Sequence, residues 1–507
     1  MARPVAGASG LSTVAPRRYV DLAGDMRQVD IAPLPFNRLG ALIGAQRYEP
    51  LLALADEIRH QMDGNVVWNV NATATGGGVA EMLQTLLAYI RGLGVDTRWM
   101  VLQGDPEFFA LTKRIHNLVH GSPGDGGPLG EAEHRHYREV LDRNADQLVA
   151  LITPGDVVLL HDPQPIGMAA RLKEAGASIV FSSNIGKDEP DEHTERAWEF
   201  LRPYVELADV VVVSRATYAP PYTDLEKVLV IPPSIDPFAA KNIDISERDV
   251  RTVLARVGVT EGPVEEDGIR FTRRDGTTGT VRPHTGLFAA GRPLPAGAPY
   301  LLQVSRWDRL KDMPGVLTAF ADHVTGHDDV HLLLVGPETS GVSDDPEGAE
   351  VLQECLRSWE ALPEEKRLRT HLVEVPMDDV DENAYIVNAL QRGATAVVQK
   401  SLMEGFGLTV SEAMWKGRPV LASRIGGIQD QIEDGVSGLL LDDPRDLAGM
   451  GSLMQRVLDD PDLAMRLGTA ARARILEQFL GDRHLLQYGR MIESLLPDRH
   501  PRRSAHR

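Results

Sequence analysis

Cysteine is almost absent from the sequence, because Cys355 is the only one among 507 residues. A single cysteine excludes an internal disulfide and a cysteine-based metal cluster, so we expect a protein of the reducing cytoplasm. Long apolar runs are missing as well, since no stretch approaches the roughly 20 apolar residues of a membrane helix. The first 18 residues lack the apolar core of a signal peptide. We therefore expect neither secretion nor a membrane anchor.

Positive charge is also in deficit. Lys and Arg total 53 against 73 Asp and Glu, which gives a net charge of −20. This balance disfavours nucleic acid or an anionic membrane as a partner of the whole surface, although a local basic pocket for phosphate stays open. The hydrophobic fraction of 43% and charged fraction of 25% are typical of a globular protein. The length exceeds one ordinary core and predicts two domains.

The most informative stretch is QKSLMEGFGLTVSEAMWKG, residues 399–417. A β-branched run precedes it, Gly405 and Gly407 form a turn inside it, and the apolar spacing that follows is helical. A strand, a tight loop and a helix present free backbone N–H groups at the helix N-terminus, which is a natural seat for phosphate. Glu404 and Glu412 flank the turn, and carboxylates beside phosphate are suited to accept hydrogen bonds from sugar hydroxyls. Either residue alone would more simply be a solvated glutamate.

This stretch resembles the Glu-x7-Glu signature of the retaining glycosyltransferases of family 4, which have the GT-B fold. Several segments also resemble the nucleotide-sugar-dependent trehalose synthases of that group. The resemblance implies that Glu404 faces hydroxyls of the transferred sugar and that Glu412 holds the nucleotide ribose. It implies donor contacts from the backbone of the turn, with these residues: Gly405, Phe406, Gly407, Leu408 and Thr409.

A second glycine loop lies near the N-terminus. The strand Val66–Val70 is followed by Gly76, Gly77 and Gly78 and by an amphipathic helix to about Arg91. Three glycines alone are a weak signal, because a close-packed turn explains them equally well. The segment VNATATGGGVAEML resembles the trehalose synthase N-terminal loop, which implies backbone lying against the donor diphosphate.

A buried strand, Val157–Leu160, runs directly into His161, Asp162, Pro163, Gln164 and Pro165. Ligands of open α/β sheets bind at the carboxyl ends of strands, so these polar groups are expected at a site. The family resemblance places His161 against the donor sugar, while Asp162 could equally cap the next helix. At the end of the next strand, where the family carries Arg-Cys-His, this chain has Ser182, Ser183 and Asn184. This departure affects the acceptor, for which we name Asp162, Gln164 and Asn184.

The second half opens on the strand Tyr300–Val304, and Arg306 and Lys311 follow it closely. Two cations at a strand end suit a diphosphate whose charge grows as it departs, and this electrostatic stabilisation is a large catalytic effect. A solvent-facing basic turn would give the same pattern, but the resemblance to the Arg and Lys pair of the family favours the phosphate role. Arg309 is assigned to the surface.

His116 and His120 have a spacing of four residues, which could bind a metal. No third ligand is visible in the sequence, so we assign both to a solvated helix face. The resemblance gives these two histidines no chemistry.

Alternating short strands and helices in both halves predict an α/β protein with two Rossmann-like, doubly wound domains facing across a cleft. The family resemblance implies that this arrangement is the GT-B fold. Residues 1–237 form the predicted acceptor-side domain and residues 238–480 the nucleotide-sugar domain, with an insertion of unassigned role at 261–299. Residues 481–507 are expected to give a helix that returns to the first domain and then a disordered tail.

The resemblance implies a retaining hexosyltransferase that moves glucose from ADP-glucose or UDP-glucose to glucose and forms trehalose. Arg306, Lys311, Glu404 and His161 are the predicted catalytic group. No cofactor and no metal ligand are expected, with Mg²⁺ at most a stimulant. The alternatives are a trehalose phosphorylase, a related transferase with another acceptor, and a sugar-nucleotide-binding protein without turnover. The expected partners are small molecules, with a homodimer left open.

Overall fold

The computed structural model describes residues 26–62, 64–74, 78–264, 268–274, 276–339 and 346–496. The predictions for Gly76 and Gly77, for the lead-in before residue 26 and for the tail from Pro497 lie outside these described residues. Within the described ranges, no helix combines the length and the hydropathy that crossing a bilayer requires.

The first half forms a seven-stranded sheet. Its strands are β1 (Arg27–Val29), β2 (Val67–Asn71), β3 (Thr97–Val101), β4 (Val157–His161), β5 (Ser178–Ser183), β6 (Val210–Val213) and β7 (Val228–Val230). They lie in the order β1-β3-β2-β4-β5-β6-β7, and every pair is parallel except β1 with β3. Strands β2, β4 and β6 are buried along their whole length, as expected when helices cover both faces of a parallel sheet.

Seven α-helices accompany this sheet in the described residues. They are α1 (Asn37–Ile43), α2 (Ala45–Gln61), α3 (Gly78–Gly92), α4 (Pro106–Val119), α5 (Glu131–Val149), α6 (Ala169–Glu174) and α7 (Glu192–Val205). Asp105 and Asp191 cap α4 and α7, because their carboxylates accept the free N–H groups of the first turn. The apolar faces of α4, α5 and α7 pack on the sheet and form the main core of this half.

The second half repeats the plan with another seven-stranded sheet. Its strands are β10 (Phe288–Ala290), β11 (Tyr300–Val304), β12 (His331–Pro337), β13 (Thr370–Val375), β14 (Ala396–Gln399), β15 (Val420–Ser423) and β16 (Leu439–Leu441). The order is β10-β13-β12-β11-β14-β15-β16, with only β10 antiparallel. The prediction of two Rossmann-like layers of parallel strands and helices is confirmed.

The helices of the second half alternate with its strands. They are α8 (Glu247–Arg256), α9 (Met313–His323), α10 (Pro346–Glu360), α11 (Glu364–Arg367), α12 (Val380–Gly393), α13 (Leu408–Trp415), α14 (Ile428–Gln431), α15 (Leu447–Asp459), α16 (Pro461–Gln478) and α17 (Gly481–Leu495). The strand, glycine turn and helix expected around Gly405 correspond to β14, the loop 400–407 and α13. Local periodicity was sufficient to predict this unit.

The segment 261–299 combines a hairpin with a sheet strand. Strands β8 (Arg270–Thr272) and β9 (Thr278–Thr280) form a hairpin, whereas β10 adds an edge strand to the second sheet. Arginines fasten this segment to the start of α12, where Arg282 pairs with Asp378 at 2.8 Å and with Glu382 at 2.6 Å. The sequence did not predict the added edge strand, because three residues are too few to show a period.

The chain crosses between the halves twice, and the two crossings touch. Ile235 in the extended segment PPSIDP makes a parallel bridge with Leu480, just before α17 begins. Helix α17 then packs on α2 and on the first sheet, with Met491 and Ile492 beside Leu54 and Ile58. The last described helix is therefore anchored in the first half of the molecule.

Candidate active site

The carboxyl ends of β11 and β14 bring two charged side chains together. These strands are parallel neighbours, so the turn after β11 and the loop after β14 open on the same edge of the sheet. Lys311 Nζ donates to Glu404 Oε2 at 2.6 Å, and the Ser401 hydroxyl donates to the same oxygen at 3.3 Å. Both charged side chains are only slightly exposed, at 16% for Lys311 and 13% for Glu404. The structure thus brings together two of the four predicted catalytic residues.

Contacts behind this pair fix the backbone that carries Lys311. Gln303 on β11 donates to the Lys311 carbonyl oxygen at 2.7 Å, and the N–H of Leu402 donates to the Leu310 carbonyl oxygen at 2.7 Å. Asp312 adopts a left-handed conformation (φ 45°), caps α9 and pairs with the fully buried Lys400. Lys311 is therefore held from both loops, which is the preorganisation that electrostatic catalysis needs.

Arg306 and Arg309 lie on either side of this turn but differ in their surroundings. Arg306 is 67% exposed and pairs with Asp308 at 3.2 Å. Arg309 pairs with Glu350 and Glu354 on α10, in keeping with a surface role. After burial, His120 and Lys113, the charge of Arg306 also contributes to lowering the pKa of His116 in the first half.

The glycine loop 405–407 approaches the first half closely. A Cβ on Gly405 would lie 3.0 Å from the Asn184 carbonyl oxygen, so a side chain there would press on the opposite wall. Gly407 has φ 84° and caps α13 through its backbone. The Phe406 ring is buried near Phe479, with ring centroids 6.0 Å apart, so its contribution to a ligand would come from the backbone.

Leu408 and Thr409 begin α13 with different contacts. The Leu408 side chain lies 3.1 Å from the position of a Cβ on Gly78, so α13 meets the start of α3 there. The Thr409 hydroxyl donates to Gln399 Oε1 at 3.1 Å.

Glu412 lies one turn further along α13 and is 5% exposed. Its Oε1 is 3.4 Å from Lys241 Nζ, whereas its Oε2 has no hydrogen-bond partner among the described residues. Burial raises the pKa of Glu412, and the charges of Lys241 and Lys416 oppose that rise. Leaving a buried acceptor without a hydrogen bond costs free energy, so Oε2 is suited to accept one from a ligand hydroxyl. The sequence analysis did not identify Lys241.

The first half contributes polar groups from the ends of β4 and β5. His161 is buried and shares a hydrogen bond of 3.0 Å with Asn69, while its Nδ1 has no partner in the described structure. Burial lowers the pKa of His161 to about 4. Asp162 has φ 63° and accepts the Asn184 N–H at 3.0 Å, and burial raises its pKa to about 6. Gln164 is half-buried on the turn that follows.

Ser182, where the sequence departs from the family pattern, contacts helix α17. The Ser182 hydroxyl and the Tyr488 hydroxyl are 3.2 Å apart, and His484 and Tyr488 stack with ring centroids 4.7 Å apart. Ser182 is buried, and the side-chain nitrogen Nδ2 of Asn184 is buried with no partner among the described groups. Of this run, Asn184 is the residue beside Gly405.

His116 and His120 are not on a solvated face, so that assignment was wrong. Their rings lie 4.9 Å apart, both are half-buried, and His120 Cε1 is 3.8 Å from the position of a Cβ on Gly405. Burial lowers the pKa of His116 to about 3 and that of His120 to about 4, with Lys311 adding to the shift of His120 and Glu404 opposing it. Their spacing was visible in the sequence, but their position at the cleft depends on the domain arrangement.

The side of the cleft that the first half forms is called the first wall below. A third group of its residues, which the sequence analysis did not identify, joins the two halves. Asp188 accepts from the Gly426 N–H at 2.8 Å and from Gln429 at 3.0 Å, and Arg215 donates to the Gly426 carbonyl oxygen at 2.6 Å. The Tyr218 hydroxyl donates to the Glu404 carbonyl oxygen at 3.1 Å. The cleft is therefore closed along this side.

A cavity of about 350 Å³ lies between these contacts, with Glu404 and Tyr218 in its lining. Its described lining contains one lysine and one arginine, and carboxylates neutralise both. Lys187 pairs with Asp191, and Arg424 pairs with Asp434 at 2.6 Å and also with Asp442. Among the described side chains, no three His, Cys, Asp or Glu are grouped to hold a metal ion. The prediction of a site without metal ligands stays a prediction.

Comparison with known families gives matches in both halves. A family model described as "Trehalose synthase, N-terminal domain" matches residues 69–220, and one described as "Glycosyl transferases group 1" matches residues 289–474. The trehalose synthase of Thermococcus litoralis is 33% identical over 453 residues, which is 89% of this chain and 95% of that protein. The trehalose phosphorylase of Pleurotus pulmonarius is 24% identical and aligns with 90% of this chain but 60% of its own length.

Among solved structures, an α,α-trehalose-phosphate synthase (UDP-forming) from Burkholderia xenovorans, in complex with glucose-6-phosphate, has a TM-score of 0.59. It is 16% identical, and the alignment covers 86% of this chain and all of that one. At this identity the likeness shows the fold alone.

Proposed function

The chain belongs to the trehalose synthase family of glycosyltransferases, and from that premise we propose that it transfers glucose from ADP-glucose or UDP-glucose to free glucose. The product is α,α-trehalose, formed with retention at the anomeric carbon. The observation that carries the proposal is the Lys311–Glu404 pair, held between two strand ends and facing the first half across a closed cleft.

The donor is bound by the second half. Lys311 and Arg306 face the diphosphate, together with the N–H groups around Gly405 and Gly407 at the start of α13. Glu404 accepts hydroxyls of the glucosyl group, and Glu412 Oε2 accepts hydroxyls of the ribose. The ion pair with Glu404 holds the Lys311 ammonium group in place for the diphosphate.

Transfer breaks the bond between the anomeric carbon and the diphosphate oxygen, and its electron pair goes to that oxygen. The acceptor hydroxyl forms its bond to the anomeric carbon on the face that the diphosphate leaves, and its proton passes to a donor phosphate oxygen. Lys311 and Arg306 stabilise the growing charge. His161 and Asn184, with Asp162 and Gln164, orient the sugars from the first wall.

The charge of the acceptor follows from the cavity beside Glu404. Lys187 and Arg424 are each neutralised by carboxylates, so no unpaired lysine or arginine in the described lining is ready for a phosphate. This favours a neutral sugar over a sugar 6-phosphate. The contacts of Asp188 and Tyr218 across the cleft exclude water, which would otherwise compete as acceptor.

The test is incubation with ADP-, UDP- and GDP-glucose, crossed with glucose, glucose-6-phosphate and fructose. We expect release of nucleoside diphosphate that requires glucose, and a product whose NMR spectrum shows two equivalent α-anomeric protons. A second arm adds phosphate and trehalose without nucleotide. Turnover in that arm alone would replace the proposal with a phosphorylase, which the match to the Pleurotus enzyme makes the natural rival. Nucleotide binding without turnover in any arm would indicate a binding protein.

A further inference from the structure

Lys241 lies where the two halves of the molecule meet. It follows the first crossing segment, and its side chain is 24% exposed. Its Nζ is 3.1 Å from Glu81 Oε2 on α3 of the first half and 3.4 Å from Glu412 Oε1 on α13 of the second half. One ammonium group therefore contacts a carboxylate from each half.

The two oxygens of Glu412 have different surroundings. Oε1 faces Lys241, whereas Oε2 is buried and has no partner in the part of the chain that the structure describes. A carboxylate held at one oxygen has a fixed rotamer, so the direction of the other oxygen is fixed as well. The geometry leaves one preoriented acceptor for a ligand hydroxyl.

Keeping such a group ionised needs a counter-charge. Burial raises the pKa of Glu412, Lys241 and Lys416 lower it, and Glu81 raises it further. Burial also lowers the pKa of Lys416, against the attraction of Glu412, so the charged form of Lys416 is disfavoured. Arg392 and Lys241 lower the pKa of Lys416 too, and Asp244 opposes them.

Lys241 behaves in the opposite way. Burial disfavours its charge, but Glu412 and Glu81 outweigh burial and raise its pKa above the ordinary value. The ammonium group of Lys416 donates to Asn242 Oδ1 and to the backbone carbonyl oxygen of Glu412, each at 3.1 Å, rather than to the Glu412 carboxylate. Lys241 is thus the cation that stays charged across the working pH range and contacts the carboxylate itself.

We propose that Lys241 is a positioning residue that holds Glu412 Oε1 and keeps this carboxylate an ionised acceptor for the ribose hydroxyls of the nucleotide. This inference rests on the proposed function, which places the ribose at Glu412. Because the same ammonium group binds Glu81 on α3, the ribose site is complete only when the two halves are together.

The test is calorimetric binding of ADP and UDP to the full chain and to Lys241→Met, from about pH 5.5 to 8.5. Without the ammonium charge the pKa of Glu412 rises, so protonation removes the charged acceptor at a higher pH. We expect Lys241→Met to bind about tenfold more weakly than the wild type near pH 6 and within about threefold near pH 8.5. Any titration of the nucleotide itself cancels in this ratio.

Glu81→Gln is the matched control, because it removes the other partner of Lys241 and leaves the ammonium group. Removing a like charge lowers the pKa of Glu412, so the acid limb of its binding profile should move to lower pH. If Lys241 served only to connect the halves, both variants would weaken binding to a similar degree at every pH, and the proposal would be overturned. Lys241→Arg keeps the positive charge, so its nucleotide binding should weaken at the same acidic pH as that of the wild type.

The outcomes separate the inference from the proposed function. A wild-type chain that binds no nucleoside diphosphate removes both. Wild-type binding with a flat ratio for Lys241→Met removes only the role of Lys241. If circular dichroism shows that Lys241→Met does not fold, Glu81→Gln serves as the test. The pH at which its nucleotide binding weakens on acidification should then be lower than in the wild type, and an unchanged pH overturns the proposal.

Discussion

The two walls of the cleft are built on the same kind of sheet but offer different chemistry. The second half presents a charged pair, Lys311 with Glu404, on loops fastened by the buried ion pair of Lys400 with Asp312. In the first half, burial favours the neutral forms of two groups, because it lowers the pKa of His161 to about 4 and raises that of Asp162 to about 6.

This difference matches the two tasks of a sugar transfer. In the proposed transfer, charge develops on the departing diphosphate, so fixed cations suit the wall to which the proposal assigns it. The proposed acceptor, free glucose, has no charge, and neutral hydrogen-bonding groups would orient it without attracting anions. A shared fold therefore leaves function to the residues at the strand ends, and the following predictions test whether the division holds.

The largest effect is expected on the charged wall. Lys311→Ala and Glu404→Ala should each lower kcat about 10²–10³-fold, because each removes a preorganised charge from the reacting centre. Steady-state rates with the preferred donor and glucose measure this loss, and circular dichroism checks the fold.

Arg309→Ala is the control, since this cation lies on the same turn as Lys311 but pairs with Glu350 and Glu354 on the surface. Its kcat should stay within about twofold of the wild type. Equal losses in Arg309→Ala and Lys311→Ala would show that the turn contributes net charge rather than one placed ammonium group.

A smaller effect is expected where the walls meet. Gly426 has φ 48°, and a Cβ there would lie 1.9 Å from the Glu404 carbonyl oxygen. Gly426→Ala must therefore displace the Glu404 loop, and turnover should fall about 10–100-fold. The measurement is kcat together with the affinity for the donor.

Gly435→Ala separates steric displacement from backbone strain. Gly435 has φ 75° but nothing lies within 4 Å of a Cβ there, so this variant pays only the left-handed strain of about 1 kcal/mol. It should lose some thermal stability and keep its turnover. If Gly426→Ala behaves in the same way, the position of the Glu404 loop does not limit the reaction.

The smallest effect is expected on the neutral wall and appears in stability. The folded pKa of Asp162 is about 6, above its ordinary 3.8, so its contribution to stability is present below pH 3.8 and is lost as the pH rises through 6. Asp162→Asn removes the charge, keeps an oxygen for the Asn184 N–H and tolerates a positive φ. It should raise the free energy of unfolding by about 2 kcal/mol at pH 7.5, with no gain near pH 3.5.

Denaturant unfolding at these two pH values measures the difference. Asp224→Asn is the control, because this exposed aspartate caps a short turn through the Glu226 N–H and an asparagine can do the same. It should leave stability unchanged at both pH values. A gain in Asp162→Asn that does not depend on pH would mean that a cause other than the buried charge is responsible.

The sequence predicted the parts of the molecule that depend on neighbours along the chain. Strand β11 has the predicted bounds, and the turn through Gly405 and Gly407 leads into α13 as expected. The periods of strands and helices, and the glycines between them, are local properties. The roles proposed for Glu404 and Glu412 came from the family resemblance, because the spacing of apolar residues does not indicate them.

Tertiary structure alone decided which groups meet. Lys311 and Glu404 are 93 positions apart in the chain, and Lys241 reaches Glu81 across 160 positions. His120 looked like a surface residue because its neighbour, the Gly405 loop, belongs to the other sheet. Such contacts depend on strand order and on the closing of two domains, and the energy of a local segment is nearly the same whether they form or not. The sequence by itself therefore determined the layers and their loops, whereas the packing of one half on the other decided which side chains meet in the cleft.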